Sequence, residues 1–464
     1  MSIRFGTSGW RAIIADEFTY ENVQRVTEAI CGYLKESGAA TGGKLIVGFD
    51  SRFMGEKFAG VAAEIASRRG YRVLLCIEPT PTPTISHTIR DQQAVGGLNF
   101  TASHNPPEYQ GIKFSTADGA PAMPEITKRI EALYESRMFD AVDVSGGSIE
   151  DFDARPAYLD DLKTKIRFDA IAASKGRFAY EPLWGTGRGY LDRILRDHGL
   201  EVETLHDWRD VTFGGRSPEP GEKQTAELAD LVVSKGLTLG LATDGDGDRF
   251  GVIDADGTFI QPNHLIAVLT DYLAESRGWT LGVARSVATS HLVDRVAESR
   301  GLKLYETPVG FKFIGELINR DEIILGGEES AGLSIRGHYP EKDGILACLL
   351  AVEAVTVRGK SISAQLEDIY RRVGKLESGR IGVKLTENVA RSLQEKLGRE
   401  PESIAGRKVE NINRIDGVKF FFTDGSWMLM RPSGTEPLVR IYAESESADD
   451  LEVLLEQGRR YLLD

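Results

Sequence analysis

The feature that most constrains the fold is an alternation of apolar strands with helices, in which three buried strands each end in a short loop of polar residues. Strands that alternate with helices in this way indicate parallel βαβ units. In such sheets ligands bind at the carboxyl ends of the strands. The sequence therefore predicts a site assembled from several units, and the three loops span residues 101–113, 243–249 and 326–330.

The chain has 464 residues, too many for one hydrophobic core, so we expect several domains. We predict domains at residues 1–145, 146–255, 256–370 and 371–464. The first three are expected to be α/β with mixed, mainly parallel sheets, and the last to be α+β with an antiparallel sheet. The acidic, aperiodic residues 139–151 are interpreted as a linker. Strands are predicted at residues 44–49, 71–77, 94–100, 177–181, 238–242, 284–287, 322–325, 381–385 and 418–422. Helices are predicted at residues 19–34, 57–69, 157–166, 190–197, 264–277, 291–299 and 448–463.

Composition excludes several classes of protein. The chain is 41% apolar and 27% charged, as in ordinary soluble proteins, and its net charge of −14 argues against a nucleic-acid partner. Cys31, Cys76 and Cys348 are far apart, which argues against a disulfide framework or a zinc site and fits a reducing cytosol. Without a signal peptide or a transmembrane run in the sequence, we expect a cytoplasmic protein with no membrane partner.

Ser103 and its neighbours have the composition of a nucleophile that carries a phosphoryl group. Two prolines follow shortly after the predicted strand 94–100, and neither a strand nor a helix continues through them. Ser103 is therefore expected on a stiff turn, next to His104 and ten residues before Lys113. A hydroxyl beside an imidazole and a cation suits phosphoryl transfer. A turn that only closes the strand has the same composition.

Three aspartates at alternate positions follow the second strand. The glycines between them let the carboxylates of Asp244, Asp246 and Asp248 converge, which is too repulsive without a cation. Ligands that are all oxygen suit Mg²⁺ better than zinc. A calcium loop of EF-hand type is excluded, since Arg249 stands where Gly is required and Ala255 where Glu is required. A solvated acidic turn is the alternative.

The third loop offers groups that recognise a sugar. Glu328 and Ser330 can accept and donate hydrogen bonds to vicinal hydroxyls, and Lys312, His338 and Lys342 add donors for a phosphate. Glutamates in loops flanked by glycine are also common as plain surface acids.

A fourth loop, residues 431–437, has the composition of a phosphate clamp. Arg431, Ser433, Gly434 and Thr435 combine a guanidinium fork with two hydroxyls and an unhindered backbone. An ordinary Pro/Gly turn is an equally good interpretation. The chain has no GxxxxGK[ST] motif, which disfavours nucleotide hydrolysis of the common kind.

The four loops resemble, in order, those of the α-D-phosphohexomutase superfamily, which includes phosphoglucomutases and phosphomannomutases. Residues 101–106 resemble its phosphoserine loop and residues 244–249 its DGDGDR metal loop. Residues 327–330 resemble its GExS sugar loop and residues 431–435 its phosphate loop. Four separate matches in the family's order, over the whole length, argue against an accidental likeness.

The resemblance implies four domains around a central cleft, with the first three alike. It implies that Ser103 is phosphorylated, that His104 and Lys113 assist proton transfer, and that Arg11 and Arg249 steady the phosphoserine. It also implies one Mg²⁺ per chain on Ser103 and the three aspartates, glucose 1,6-bisphosphate as activator and intermediate, and a small phosphosugar as substrate of a monomer or homodimer. The implied sugar-binding residues are Thr307, Gly310, Lys312, Glu328, Ser330, His338 and Lys342, and the implied phosphate-binding residues are Arg431, Ser433, Gly434, Thr435 and Arg440.

The preferred sugar is less tightly specified. Residues 327–332 and 341–344 look more like phosphoglucomutases than like dual-specificity phosphomannomutases, some of which have His where Gly332 stands. Phosphoglucosamine mutases usually have Asp where Ser8 stands. Glucose is therefore the expected sugar, with mannose and then glucosamine as alternatives. A metal-dependent sugar phosphatase and a non-catalytic phosphosugar-binding protein are the alternatives from other classes.

Overall fold

The computed structural model of the chain describes residues 3–6, 9–136, 146–433 and 438–463. Four β-sheets follow one another along the chain, each with its helices. The first unit comprises β1 Trp10–Ile13, α1 Tyr20–Glu36, β2 Lys44–Phe49, α2 Gly55–Arg68, β3 Arg72–Cys76, α3 Thr82–Asp91, β4 Gly96–Phe100, β5 Tyr109–Thr116, α4 Pro124–Ser136 and β6 Ser148–Phe152. Its strand order is β1-β5-β4-β2-β3-β6.

The second sheet has the order β11-β10-β9-β7-β8 and the third β13-β12-β14-β15. The second unit comprises α5 Arg155–Lys165, α6 Phe168–Ala173, β7 Arg177–Glu181, α7 Leu191–Asp197, β8 Glu201–Thr204, α8 Ala226–Lys235, β9 Leu239–Thr243, β10 Phe250–Asp254 and β11 Phe259–Ile260. The third unit comprises α9 Pro262–Arg277, β12 Gly282–Ser286, α10 Leu292–Ser299, β13 Leu304–Thr307, α11 Phe311–Asn319, β14 Ile323–Glu328, β15 Gly332–Ile335, α12 Gly344–Arg358 and α13 Ile362–Val373.

The fourth unit is built on an antiparallel sheet of order β16-β21-β20-β19-β18-β17. It comprises β16 Glu377–Lys384, α14 Glu387–Leu397, β17 Ser403–Ile404, β18 Arg407–Asn413, β19 Val418–Phe422, β20 Trp427–Pro432, β21 Leu438–Ser445 and α15 Ala448–Leu463. The described helices include none that is both long and apolar enough to cross a membrane.

The first three units repeat one arrangement. In β3-β2-β4-β5, β8-β7-β9-β10 and β13-β12-β14-β15 the first three strands are parallel, and the last is antiparallel to its neighbour. The polar loops are the connections from β4 to β5, from β9 to β10 and from β14 to β15. Each loop is therefore fixed at both ends by adjacent, paired strands.

The second and third units share one hydrophobic core. The cluster extends from Tyr158 to Leu376, and the buried helix α12 lies within it. A helix that is apolar on all sides, as α12 is, must be covered on all sides. Gly344, at its first turn, donates its backbone N–H to Gly247 O at 3.1 Å. This helix therefore joins the third unit directly to the aspartate loop of the second.

The predicted fold class is confirmed, but the linker between the first two units is wrong in part. Residues 148–151 form most of strand β6, which pairs in parallel with β3, whereas residues 139–145 lie outside the described residues. The first sheet thus continues past the predicted boundary at 145, and the second includes Phe259–Ile260, past the predicted boundary at 255. Strand pairing within the folded sheets sets both boundaries, and the local composition of the sequence does not reveal that pairing.

Candidate active site

Ser103 lies in the connection between β4 and β5. Its hydroxyl donates a hydrogen bond of 2.7 Å to Asp244 Oδ2, and His104 Nδ1 lies 3.2 Å from the same hydroxyl. Ser103 is buried with a φ of 52°, in the left-handed region that few non-glycine residues adopt. This backbone conformation directs the hydroxyl at the aspartate loop of the second unit.

Arg52, which the sequence analysis did not single out, holds the backbone of this loop. The guanidinium is buried and forms an ion pair of 3.1 Å with Asp50, whose other donor is the hydroxyl of Thr101 at 2.6 Å. Burial raises the pKa of Asp50 to about 6.

The guanidinium of Arg52 also donates to four backbone oxygens, those of Ser103 (2.7 Å), Asn105 (2.6 Å), Pro106 (2.8 Å) and Tyr109 (3.1 Å). The position of Asp50 and Arg52 just after buried strand β2 was the available signal.

Asp244, Asp246 and Asp248 are fully buried between β9 and β10. Lys113 Nζ lies 2.6 Å from Asp246 and 2.7 Å from Asp248, and Lys342 Nζ lies 2.7 Å from Asp248. Burial alone would raise the pKa of Asp248, but the two ammonium groups lower it below its ordinary value. Burial and the two neighbouring carboxylates raise the pKa of Asp244 well above its ordinary value. The two lysines thus compensate only part of the negative charge.

The three carboxylates fit a hard divalent cation. One oxygen from each lies within 4.8 Å of the others. Asp246 Oδ1 and Asp248 Oδ1 are buried and have no hydrogen-bond partner in the part of the chain that the structure describes. A buried carboxylate oxygen without a donor is costly unless a cation binds it. The expected ligand set of Ser103 and three aspartates is therefore brought together.

Glu328, at the end of β14, is buried, and its carboxylate is held by a backbone N–H group. Its Oε1 accepts a hydrogen bond of 2.7 Å from Gly310 N, and burial together with Glu329 raises the pKa of Glu328 to about 7. Thr307 is buried and donates to Pro308 O at 3.0 Å. Gly310 therefore supports the sugar loop, and none of Thr307, Gly310 and Lys312 lines the cavity described below.

His338 does not lie where the sequence analysis expected it. Its side chain is completely buried, Nε2 lies 2.9 Å from Asp343 Oδ2, and its ring packs on Tyr339 at 3.6 Å between centroids. Asp343 caps the start of α12 by accepting from Leu346 N. The imidazole supports the α12 cap in the interior and does not line the cavity, and its role as a substrate ligand stays a prediction.

The fourth unit contributes cations to the site. Arg431, Ser433 and Arg440, the predicted phosphate ligands, line the cavity described in the next paragraph, and Arg380 of β16 lines it without having been predicted. The predicted Gly434 and Thr435 lie outside the described residues. Arg380 carries no local motif, and only the pairing of β16 with β21 brings it beside Arg440.

A cavity of about 350 Å³ is lined by residues of all four units. Arg11 Nη1 donates to Asn105 Oδ1 at 2.7 Å, and burial and Arg249 lower the pKa of Arg11 to about 10. Such a concentration of cations favours a phosphate dianion. The predicted residues that line the cavity are Arg11, His104, Arg249, Glu328, Ser330, Lys342, Arg431, Ser433 and Arg440. Ser103, Lys113 and the aspartates are buried next to it.

Family models match the chain in four consecutive segments. They are described as the alpha/beta/alpha domains I, II and III and the C-terminal domain of phosphoglucomutase/phosphomannomutase, and match residues 2–141, 156–257, 261–373 and 383–459.

Individual relatives match over nearly the whole length. A phosphoglucomutase/phosphomannomutase of Thermococcus kodakarensis is 30% identical, covering 99% of this chain and 98% of its own. A probable phosphoglucosamine mutase of Methanosphaera stadtmanae is 30% identical, with the same coverage. The crystal structure of a putative phosphomannomutase from Thermus thermophilus superposes with a TM-score of 0.87 at 34% identity, covering 100% of both chains. With four family domains in order and relatives of this identity over its full length, the chain belongs to the phosphoglucomutase/phosphomannomutase family of the α-D-phosphohexomutase superfamily and is an enzyme of that family.

Proposed function

We propose that this enzyme interconverts hexose 1-phosphate and hexose 6-phosphate, with glucose as the preferred sugar, through phospho-Ser103 and a bound 1,6-bisphosphate. The observation that carries the proposal is the hydrogen bond from Ser103 to Asp244 beside a cavity lined by Glu328, Ser330 and Arg431. A nucleophile, a carboxylate triad, a polyol-binding loop and a phosphate clamp together suit transfer between two hydroxyls of one sugar.

The reaction is a pair of phosphoryl transfers that consumes nothing. The bond between phosphorus and Ser103 Oγ breaks as a bond forms to the free sugar hydroxyl, and the proton of that hydroxyl leaves to a base. The bisphosphate then turns over within the cleft, and the bond between its other phosphorus and the sugar oxygen breaks as phosphorus bonds Ser103 Oγ again. The protonated base returns its proton to that sugar oxygen, and hexose 6-phosphate leaves. His104 and Lys113 assist these proton transfers. Burial and Arg249 lower the pKa of His104 well below its ordinary value, so its imidazole is neutral and is a weaker base than a free imidazole.

The aspartates and cations organise the charge of the transferring group. Asp244, Asp246 and Asp248 with Ser103 would hold one Mg²⁺, which when bound neutralises negative charge on the transferring phosphoryl group. Arg11 and Arg249 steady the phosphoserine from the cavity side, and Lys342 adds a third cation. Glucose 1,6-bisphosphate serves as activator, since it can phosphorylate Ser103 directly.

Glu328 and Ser330 bind the sugar hydroxyls. The phosphate that is not reacting is bound by the phosphate clamp, which consists of Arg431, Ser433, Gly434, Thr435 and Arg440.

Because the bisphosphate must be held in two orientations, the clamp is best placed on a unit that can open and close. Residues 373–377, between α13 and β16, are the hinge in this proposal. Small-angle scattering with and without the sugar bisphosphate tests it, and an unchanged envelope would refute the hinge.

The experiment that tests the function is ³¹P NMR of the protein with Mg²⁺ and a trace of glucose 1,6-bisphosphate. Glucose, mannose and glucosamine 1-phosphates are offered separately, with Ser103→Ala as the control. Fast conversion of the glucose ester, slower conversion of the others and an inactive variant support the proposal. Equal rates with glucose and mannose indicate a dual-specificity enzyme, and preference for glucosamine a phosphoglucosamine mutase. Steady release of inorganic phosphate instead would indicate a sugar phosphatase.

A further inference from the structure

Asp416, in the connection between β18 and β19, bridges the third and fourth units. Its Oδ2 lies 3.1 Å from both Nε and Nη2 of Arg431, and it accepts a hydrogen bond of 3.1 Å from Val309 N. One carboxylate oxygen thus contacts three donors from two units. Both partners, Arg431 and Val309, line the cavity.

The contact fixes which edge of the Arg431 guanidinium is available to a ligand. Asp416 occupies the edge formed by Nε and Nη2, and Nη1 has no hydrogen-bond partner among the described residues. An arginine held on one edge by a carboxylate presents its remaining N–H groups in a fixed direction. The orientation of the clamp is therefore set before any ligand binds.

The other contact of Asp416 reaches the sugar loop. Val309 is followed by Gly310, whose N–H anchors Glu328 Oε1 at 2.7 Å. Arg431 in the fourth unit and Glu328 in the third are thus connected through Asp416 and two consecutive backbone N–H groups. The phosphate clamp and the sugar loop share one support.

We propose that Asp416 is a positioning residue, which orients Arg431 toward the phosphate of the sugar and holds the clamp in register with the loop that carries Glu328. The inference rests on the proposed role of Arg431 as a phosphate ligand. An unsupported arginine must be ordered when the ligand binds, and ordering one long side chain weakens binding by about two- to tenfold.

The test uses the full-length protein with Asp416→Asn. Asp449→Asn is the matched control, because Asp449 is exposed on the same unit and its substitution removes the same charge. Calorimetric titration with inorganic phosphate is expected to show a Kd raised about two- to tenfold in Asp416→Asn and unchanged in the control. KM for glucose 1-phosphate is expected to rise by the same factor with kcat nearly constant, the pattern of lost uniform binding.

A double-mutant cycle separates positioning from mere structural support. In an Arg431→Met background, Asp416→Asn is expected to have no further effect on the Kd of phosphate, because its partner is gone. An unchanged Kd in Asp416→Asn alone, a tighter one, or a fall in kcat at constant KM would each overturn the proposal. If the wild type converts no hexose phosphate, the proposed function fails, while the phosphate titration still decides the role of Asp416.

Discussion

The guanidinium of Arg52 donates a hydrogen bond of 2.7 Å to the carbonyl oxygen of Ser103. A non-glycine residue in a sparsely populated backbone region costs about 1–3 kcal/mol and persists only where its surroundings impose it. The bonds from Arg52 to Ser103 and to three other carbonyls of the loop supply that constraint. The orientation of Ser103 is therefore fixed by Arg52, which bonds the backbone of the loop and does not line the cavity.

Arg52→Lys is expected to lower kcat by about a hundredfold, because one ammonium group cannot bond four carbonyls and small misplacements of a nucleophile are that costly. The variant keeps the charge that compensates Asp50, so its folding is expected to survive. Steady-state kinetics and mass spectrometry of phospho-Ser103 measure the effect. Arg129→Lys, at an exposed ion pair with Glu36, is the control. Equal activity of the two variants would contradict a positioning role for Arg52.

Mg²⁺ is expected to stabilise the wild type, since it binds only the folded carboxylate triad. At a hundredfold excess over Kd the gain in the free energy of unfolding is about 2.7 kcal/mol. Asp246→Asn should lose most of this gain, which thermal unfolding with and without Mg²⁺ measures independently of activity. Asp230→Asn, at an exposed position on α8, should keep it. Equal Mg²⁺ stabilisation in both variants would place the cation elsewhere.

Gly332→Ala is expected to disturb the active site through Lys342. A Cβ at Gly332 would lie 2.5 Å from Lys342 Cδ, so the lysine must shift and its contact with Asp248 at 2.7 Å is lost. A displacement of this kind lowers kcat by about ten- to a hundredfold. Gly60→Ala, in helix α2 with open space around its Cβ, should instead raise stability by about 0.5–1 kcal/mol and leave kcat unchanged.

His338→Gln is expected to lower stability by about 1–3 kcal/mol, because its buried bond to Asp343 is lost. KM for the sugar phosphate should stay within about twofold, since the imidazole supports the α12 cap from the interior. Chemical denaturation and initial-rate kinetics separate the two effects. A raised KM with unchanged stability would restore His338 as a substrate ligand.

Lys419 of β19, at the contact between the third and fourth units, is expected to make the stability of the protein depend on pH. Its ammonium donates to Val287 O at 2.8 Å and lies 3.8 Å from the ring centroid of Trp427. Burial, with Arg285 nearby, lowers the pKa of Lys419 to about 7. The unfolded chain, with a lysine pKa of about 10.4, then binds more protons between these values, so stability rises with pH across that window.

The slope of that rise is at most about 1.4 kcal/mol per pH unit. Lys419→Met removes the titrating group, so the difference in unfolding free energy between wild type and variant should grow in favour of the wild type from pH 7 to pH 9. Lys57→Met, an exposed lysine on α2, provides the control slope. Parallel curves for wild type and Lys419→Met would show that the ammonium stays charged.

The sequence predicts the central parallel strands of the first three units, because they are strongly apolar. The parallel edge strands β6, β8 and β13 and the apolar helix α12 were not predicted. Strands β2, β7 and β19 and helix α15 begin and end at the predicted residues. Strands β5, β10 and β15 were not predicted. They are short or contain glycines, and their pairing with a preceding strand is settled only by the folded sheet.

The residues of the candidate site also fall into those that the sequence predicts and those that only the folded structure reveals. Ser103 and the three aspartates stand in motifs whose chemistry is visible in the residues themselves. Arg52 and Asp416 act on backbone groups far away in the chain, Ser103 O and Val309 N, and such contacts leave no local pattern. His338 shows the converse, since a residue type suited to phosphate binding is buried by its tertiary neighbours.

The repeated arrangement of the first three units has a consequence for how the chemistry of this fold can change. Neighbouring strands lie about 4.8 Å apart, so a loop between paired strands begins and ends at a nearly constant separation. The nucleophile, the carboxylates and the sugar ligands all lie in loops of this kind. A loop moved from one unit to another would meet the same two attachment points. The molecule therefore has three structurally equivalent loops, and new specificities can arise by substitutions within these loops while the sheets stay unchanged.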